Sequence, residues 1–220
     1  MKSLSRKFLS DAERTRVEAC VREVENTTSG EIVPMVVSAS YHYPMAPMLG
    51  ALILSLLIAG AVTAGIGAQR AWEGFGLLDL WVFPAAFAVS FLLLHEVIKR
   101  VPGLKRLFVT AREIDEEVQE AALTSFYRQR LNHTRDKTGI LIYVSVFERR
   151  AVVLADEGID SKVDPQTWQQ VVDIVTGGIR RRNQSEALCE AVRRCGQLVA
   201  EGFPRKPDDT NELRNLIVEE

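Results

Sequence analysis

Apolar and polar positions follow three different rhythms along the chain. Near the start, Ser10 and Glu13 stand at capping-box spacing. Val17, Val21 and Val24 then recur at a helical period and predict a helix that ends near "NTTSG". The next segment, "EIVPMVV" (Glu31 to Val37), is a nearly unbroken apolar run, the pattern of a strand covered on both faces. Pro34 inside it lacks an amide hydrogen, which argues for a strand near an edge or bulged.

The second rhythm is apolar throughout. From Met45 to Ala68 no residue carries a charge, and the roughly 22 residues from Pro47 onward are enough to cross a hydrocarbon core about 30 Å thick. A second run covers Leu77 to Val97, interrupted by Asp79 near its start and by His95 and Glu96 at its end. Trp72 and Trp81 flank the short connection "QRAWEGFG", as aromatic rings do at a membrane interface. Gly60, Ala61, Ala64 and Gly65 on the first helix can meet Ala85, Ala86 and Ala88 on the second, and Pro84 predicts a kink. Residues 45–97 therefore read as a transmembrane helical hairpin with spans at about 47–68 and 77–97. A buried hairpin in a soluble core would need a larger domain around it than this chain supplies.

The third rhythm mixes helix and strand. Leu107, Ala111, Ile114, Val118, Ala121 and Ala122 predict a helix ending near "RLNHTRDKTG". "GILIYVSV", "FERR" and "AVVLA" form a strand–turn–strand signal. Asp164-Pro165 opens a helix with Trp168, Val171, Val172 and Val175 on one face. Asn183 with Glu186 opens the last, with Leu188, Ala191, Val192, Cys195 and Val199 inward. "GFPRKPDD" breaks it, leaving 206–220 as a loosely held C-terminal tail. Neither side of the hairpin has enough strands for a sheet. The first strand must pair with the later ones, so that 1–40 plus 104–205 form one discontinuous α/β domain with the hairpin inserted.

Charge and cysteine content narrow the function. With 27 Lys and Arg against 29 Asp and Glu, the chain lacks the basic surplus of a nucleic-acid binder. Cys20, Cys189 and Cys195 have no CxxC spacing and read as reduced thiols. Lys2, Arg6 and Lys7 precede the hairpin and Lys99, Arg100, Lys105, Arg106 and Arg112 follow it, whereas the connection holds only Arg70, balanced by Glu73. The positive-inside rule then puts the soluble domain and both termini on the cytoplasmic side of an inner membrane. His42, Trp72, Trp81, His95, Lys99, Arg100, Lys105 and Arg106 are the expected membrane-interface residues, the basic ones facing anionic lipid.

The segments "TSGEIVPMVV", "TRDKTGILIYVSVFERRAVVLADEGI" and "DPQTWQQVVDIV", and more weakly "DDTNELRNLIVEE", resemble the TPM-domain family of bacterial and thylakoid-lumen proteins. The resemblance implies a three-layer α/β/α sandwich with a small mixed sheet, here interrupted by the two-helix hairpin. It also implies a choice among activities, since some members are described as acid phosphatases, some bind calcium and others serve as accessory proteins of membrane complexes. In this chain Asp136, Asp156, Glu157 and Asp160 sit at loops flanking the strands, where carboxylates can gather around Ca²⁺ or Mg²⁺. The same residue types also simply make turns. No Cys-x5-Arg loop, P-loop or GxSxG elbow is present, which leaves metal-assisted hydrolysis as the route to a phosphatase. The reading that follows is a membrane-tethered, non-enzymatic accessory or scaffold protein for a membrane-protein complex. Its alternatives are a metal-dependent phosphatase at the membrane surface and a self-assembling membrane protein. The expected partners are the lipid bilayer and a membrane protein or a second copy, with no nucleic acid.

Overall fold

The computed structural model describes residues 4–70, 76, 79–160, 163–200, 202–205 and 213–219. In chain order its elements are α1 (Leu4–Phe8), α2 (Asp11–Glu25), β1 (Glu31–Val37), α3 (Met45–Gln69), α4 (Asp79–Arg100), α5 (Pro102–Arg106) and α6 (Ala111–Arg128). Then come β2 (Gly139–Ser145), β3 (Arg150–Ala155), α7 (Glu157–Asp160), α8 (Pro165–Arg180), α9 (Gln184–Ala200) and β4 (Ile217–Glu219). The chain divides into two compact units, Met1–Tyr41 with Ile114–Glu220, and His42–Glu113.

The first unit is α/β. Its mixed, four-stranded sheet has the order β3-β2-β1-β4. β1 runs parallel to β2, from Glu31 opposite Gly139 to Val37 opposite Ser145, and β2 pairs antiparallel with β3. Side-chain alternation divides the sheet into two apolar faces. Ile32, Val36, Ile140, Ile142 and Val144 point into a core shared with Val17 and Val21 of α2, Val171 and Val175 of α8, and Leu188, Val192 and Val199 of α9. Val33, Met35, Leu141 and Tyr143 are buried on the opposite face, the side of α6, where Val118, Ala122 and Phe126 are buried in turn. The result is the α/β/α layering that the family resemblance implied. Both halves of the Ser10–Glu13 capping box at the start of α2 are made. The three cysteines are free and buried, and burial pushes the Cys195 thiol up to about 12.

Two expectations change. The tail does not hang free: Ile217–Glu219 forms β4, parallel to Met35–Val37 of β1. β1 is therefore an interior strand in spite of Pro34. The hydrogen-bond phase explains how this is possible. Glu31 donates its amide to Thr138 on the β2 side, so the even-numbered amides of β1 point the other way, and Ser38 donates to Glu219 of β4. Pro34 falls on that β4 side one residue before the ladder begins at Met35, where no strand asks for its missing N–H.

The second unit is helical. α3 and α4 pack against each other as long apolar helices, closed at the connection by an ion pair between Arg70 and Asp79 at 2.8 Å. Arg70 thus pairs with Asp79; Glu73 lies outside the described residues. The buried stripe of α3 is Ala46, Pro47, Gly50, Ala51, Ser55 and Ala59. Close packing occurs at Gly50, where a Cβ would lie 2.6 Å from the Phe108 ring and 2.9 Å from Ile98. Gly60 and Gly65, the sequence-based candidates for close helix contact, have nothing within 4 Å of an added Cβ. The small-residue seam is therefore offset toward the N-terminal half of α3.

Gly139 is the tightest point of the sheet, since a Cβ there would lie 2.3 Å from the Leu131 carbonyl oxygen. Gly139→Ala is expected to lower stability by about 1–3 kcal/mol. Thermal unfolding followed by circular dichroism measures this; an unchanged midpoint would show that the Leu131 turn yields freely.

Candidate functional site

In a sheet with parallel strands, ligands collect where the carboxyl ends of the strands open. β1, β2 and β4 all end on the same edge of this sheet, at Val37, Ser145 and Glu219. A groove of about 370 Å³ opens there, lined by Val37, Ser40, Tyr41, Glu120, Thr124, Arg128, Tyr143 and Glu219 among others. One acidic residue in the β2–β3 turn holds the Ser40–Tyr41 part of its lining in place. Glu148 is fully buried and accepts a hydrogen bond from the Ser145 hydroxyl, and its other oxygen accepts from the amides of Ser40 (3.0 Å) and Tyr41 (3.4 Å). A turn carboxylate thereby fixes the segment that leaves β1. Ser40 Oγ in turn lies 3.1 Å from the Tyr143 hydroxyl. Arg128 of α6 pairs with Glu219 of β4, and Gln129 donates to the same carboxylate at 3.3 Å.

The chemistry available here is polar binding. Burial pushes the Tyr143 phenol up to about 12; the hydrogen bond with Ser40 opposes this and the Glu148 charge adds to it. The phenol is thus neutral at physiological pH and acts as a hydrogen-bonding group. The Glu148 oxygens are occupied by fold-internal donors. Local sequence signals missed this groove because its parts come from a turn, a loop, a helix and the tail. The one visible hint is the apolar triplet in "NLIVEE", which marks a strand able to carry Glu219 to the edge.

The four acids proposed as metal ligands sit at the opposite edge. Asp136 lies in the turn before β2, Asp156 is buried just after β3, and Glu157 and Asp160 are exposed on α7. At the start of α7, Asp156 Oδ1 accepts from the Glu157 amide at 2.8 Å, and the Glu157 carboxylate pairs with Lys137 at 3.1 Å. That pairing, a hydrogen bond first and charge second, raises the Lys137 pKa. Among the described residues no group of three or more His, Cys, Asp or Glu is placed to hold a metal ion. The four acids thus share an edge without forming a ligand set for Ca²⁺ or Mg²⁺.

The proposed membrane-interface residues belong to the helical unit. Trp81 is 70% exposed near the start of α4, and Trp72 lies outside the described residues. His95 stacks on Phe91, with ring centroids 6.2 Å apart. Lys99 and Arg100 close α4, where Arg100 pairs with Glu96 at 2.8 Å. Lys105 and Arg106 close α5; Lys105 is buried and donates to the His42 carbonyl.

Comparison with known proteins agrees with this architecture. A family model described as TPM domain matches residues 102–198, from α5 through most of α9, so this part of the chain is similar to that domain. The NMR structure of BA42 protein from the psychrophilic bacterium Bizionia argentinensis superposes with a TM-score of 0.58 at 19% identity, covering 97% of this chain and 96% of that one, a likeness of fold. No curated protein matches the chain.

Because the folded phenol titrates above the ordinary value of about 10, the neutral form is favoured by folding. That stabilisation is complete below pH 10 and is lost as pH rises from 10 toward 12. Tyr143→Phe should flatten the fall in stability across this window, read from denaturant midpoints at stepped pH. An equally steep fall in the variant would remove Tyr143 as its source.

Proposed function

We propose that this chain is a membrane-tethered TPM domain that serves, without catalysis of its own, as an accessory or scaffold subunit of a membrane-protein assembly. The observation that carries the reading is the exposure of the two long apolar helices. α3 and α4 have mean hydropathies of 2.3 and 1.8 over their most apolar windows, and only 22% and 6% of those windows are buried. A core helix of a soluble protein with such composition would be mostly covered. Leu57, Leu80, Leu92 and Leu93 are each more than 60% exposed, at 66%, 64%, 69% and 64%. Apolar surface of that extent has a natural solvent in lipid.

The charge pattern supports a cytoplasmic orientation at the inner membrane. Basic residues flank both outer ends of the hairpin, while the connection holds Arg70 already paired to Asp79. An insertion, unlike a terminal anchor, leaves and re-enters one folded unit, since Tyr41 and Ile114 belong to the same compact part. Such a domain has two covalent ties to the bilayer. That suits presentation of a surface to a neighbour better than free diffusion of an enzyme, and the polar groove beside Ser40 and Tyr143 is the most sculpted part of that surface.

The full chain is expected to stay in the membrane pellet through high salt and alkaline carbonate and to leave it only in detergent. Replacing residues 45–97 by a short polar linker should release it. Affinity purification in mild detergent should then recover a stoichiometric membrane protein or a second copy of the chain. Release by carbonate alone would defeat the tether; a clean single-component preparation with no self-association would defeat the accessory role.

A further inference from the structure

β3 is an edge strand of the sheet, and its outer side has no partner strand among the described residues. Edge strands are ordinarily blunted by a lysine, a proline or a bulge. Residues 151–155, "AVVLA", carry none of these. The hydrogen-bond phase shows which groups are free. Asp156 donates its amide to Gly139 at 2.9 Å, so in the alternating antiparallel ladder the even-numbered residues of β3 bond inward to β2. Ala151, Val153 and Ala155 therefore direct their N–H and C=O groups to the open edge.

That phase meets an unusual sequence. Residues 149–157 read "RRAVVLADE", basic at one end, acidic at the other and apolar between. An antiparallel pair of two such edges must match outward-facing residues with one another, and one register centres on Val153. In it Val153 lies opposite Val153, Ala151 opposite Ala155, and Val152 opposite Leu154. Arg150 then comes opposite Asp156, just past the strand, and Arg149, in the left-handed turn before the strand, lies at the same end as Glu157 of the second copy's α7. The register that satisfies the backbone thus also brings the basic end of each strand to the acidic end of the other and matches the apolar residues in size. Neighbouring registers that keep the same backbone phase set Arg149 or Arg150 against apolar residues instead.

Two features of the surroundings fit an occupant on this edge. A groove of about 330 Å³ runs beside the strand, lined by Val118 of α6, by Val152 and Val153, and by Trp168 and Val172 of α8. At the acidic end, Asp156 Oδ2 is buried without a hydrogen-bond partner, an oxygen whose charge a facing arginine would offset. The existing pairs at the rim are Arg150 with Asp115 at 2.6 Å and Lys137 with Glu157 at 3.1 Å. Both involve side chains at least a third exposed, so they can share or exchange partners at small cost.

We propose that two copies of this chain associate through β3, edge to edge and antiparallel about a two-fold axis at Val153, to make one continuous eight-stranded sheet. The contact is isologous and closes on itself, so it gives dimers and not fibres. It goes beyond the membrane reading and stands whether or not the hairpin crosses a bilayer.

The test uses the purified full chain in detergent. Val153→Cys should form a disulfide-linked dimer under mild oxidation, since facing hydrogen-bonded residues bring their Cα atoms to about 5.5 Å. Val152→Cys and Leu154→Cys should each cross-link poorly alone and well when mixed. In parallel, sedimentation equilibrium should find that Arg149→Glu, at an exposed position, weakens dimerisation about tenfold through its two symmetric copies, and that adding Glu157→Arg restores it. A monomer at every concentration overturns the proposal. So does a dimer indifferent to Arg149→Glu, or capture of Val153→Cys by a different protein instead of its own copy.

Discussion

The structure depends on the parallel pairing of β1 with β2, Ile32–Val37 beside Ile140–Ser145. These two strands are about a hundred residues apart in sequence, with the helical unit between them. Parallel neighbours always need a crossover connection. Here that crossover contains α6 and also two helices long enough to cross a membrane. β1 alone precedes the hairpin, and among the described residues β4 pairs only with β1, so without β1 the sheet shrinks to the β2–β3 pair. The hairpin is thereby held at both ends by the same cooperative fold.

From that pairing the polar features follow. Placing the ends of β1, β2 and β4 on one edge lets Glu148 fasten the segment after β1, sets Ser40 against Tyr143, and brings Glu219 to Arg128. The same pairing leaves β3 outermost, with alternate backbone groups turned away from the sheet. The groove at one edge and the open strand at another are consequences of one topology. On the proposed membrane-tethered reading, confinement to a plane also raises the effective concentration at which two such edges meet.

Much of this was legible in sequence, and the limits have physical causes. The capping box at Ser10, the apolar runs of β1, β2 and β3, and the amphipathic helices α8 and α9 all carry local periodicity, so local rules found them. β4 is three residues long, and its existence is decided by Met35–Val37 offering a partner. Pro34 argued for a strand near an edge or bulged, whereas β1 is interior, because the β4 ladder begins one position later, at Met35. The seam of the hairpin was misplaced because small residues occur along all of α3, and only contact with Ile98 and Phe108 marks Gly50 as the close point. The acids around Asp156 share a region in sequence and in space, yet the amide of Glu157 and the ammonium of Lys137 engage two of them. Glu148 carried no sequence signal, since a glutamate in a turn looks solvated until the fold closes over it.

The most direct test of the account is native-state hydrogen exchange on the full chain in detergent, comparing the amides of Val33 and Met35 with those of Ile140, Ile142 and Val144. These groups face one another across the β1–β2 ladder. If the two segments form one sheet, the five amides will share a single opening free energy and lose protection together in denaturant. Fast exchange at Val33 and Met35 while the β2 amides stay protected would show that the segment before the hairpin is not part of the same fold, and the account would fail at its root.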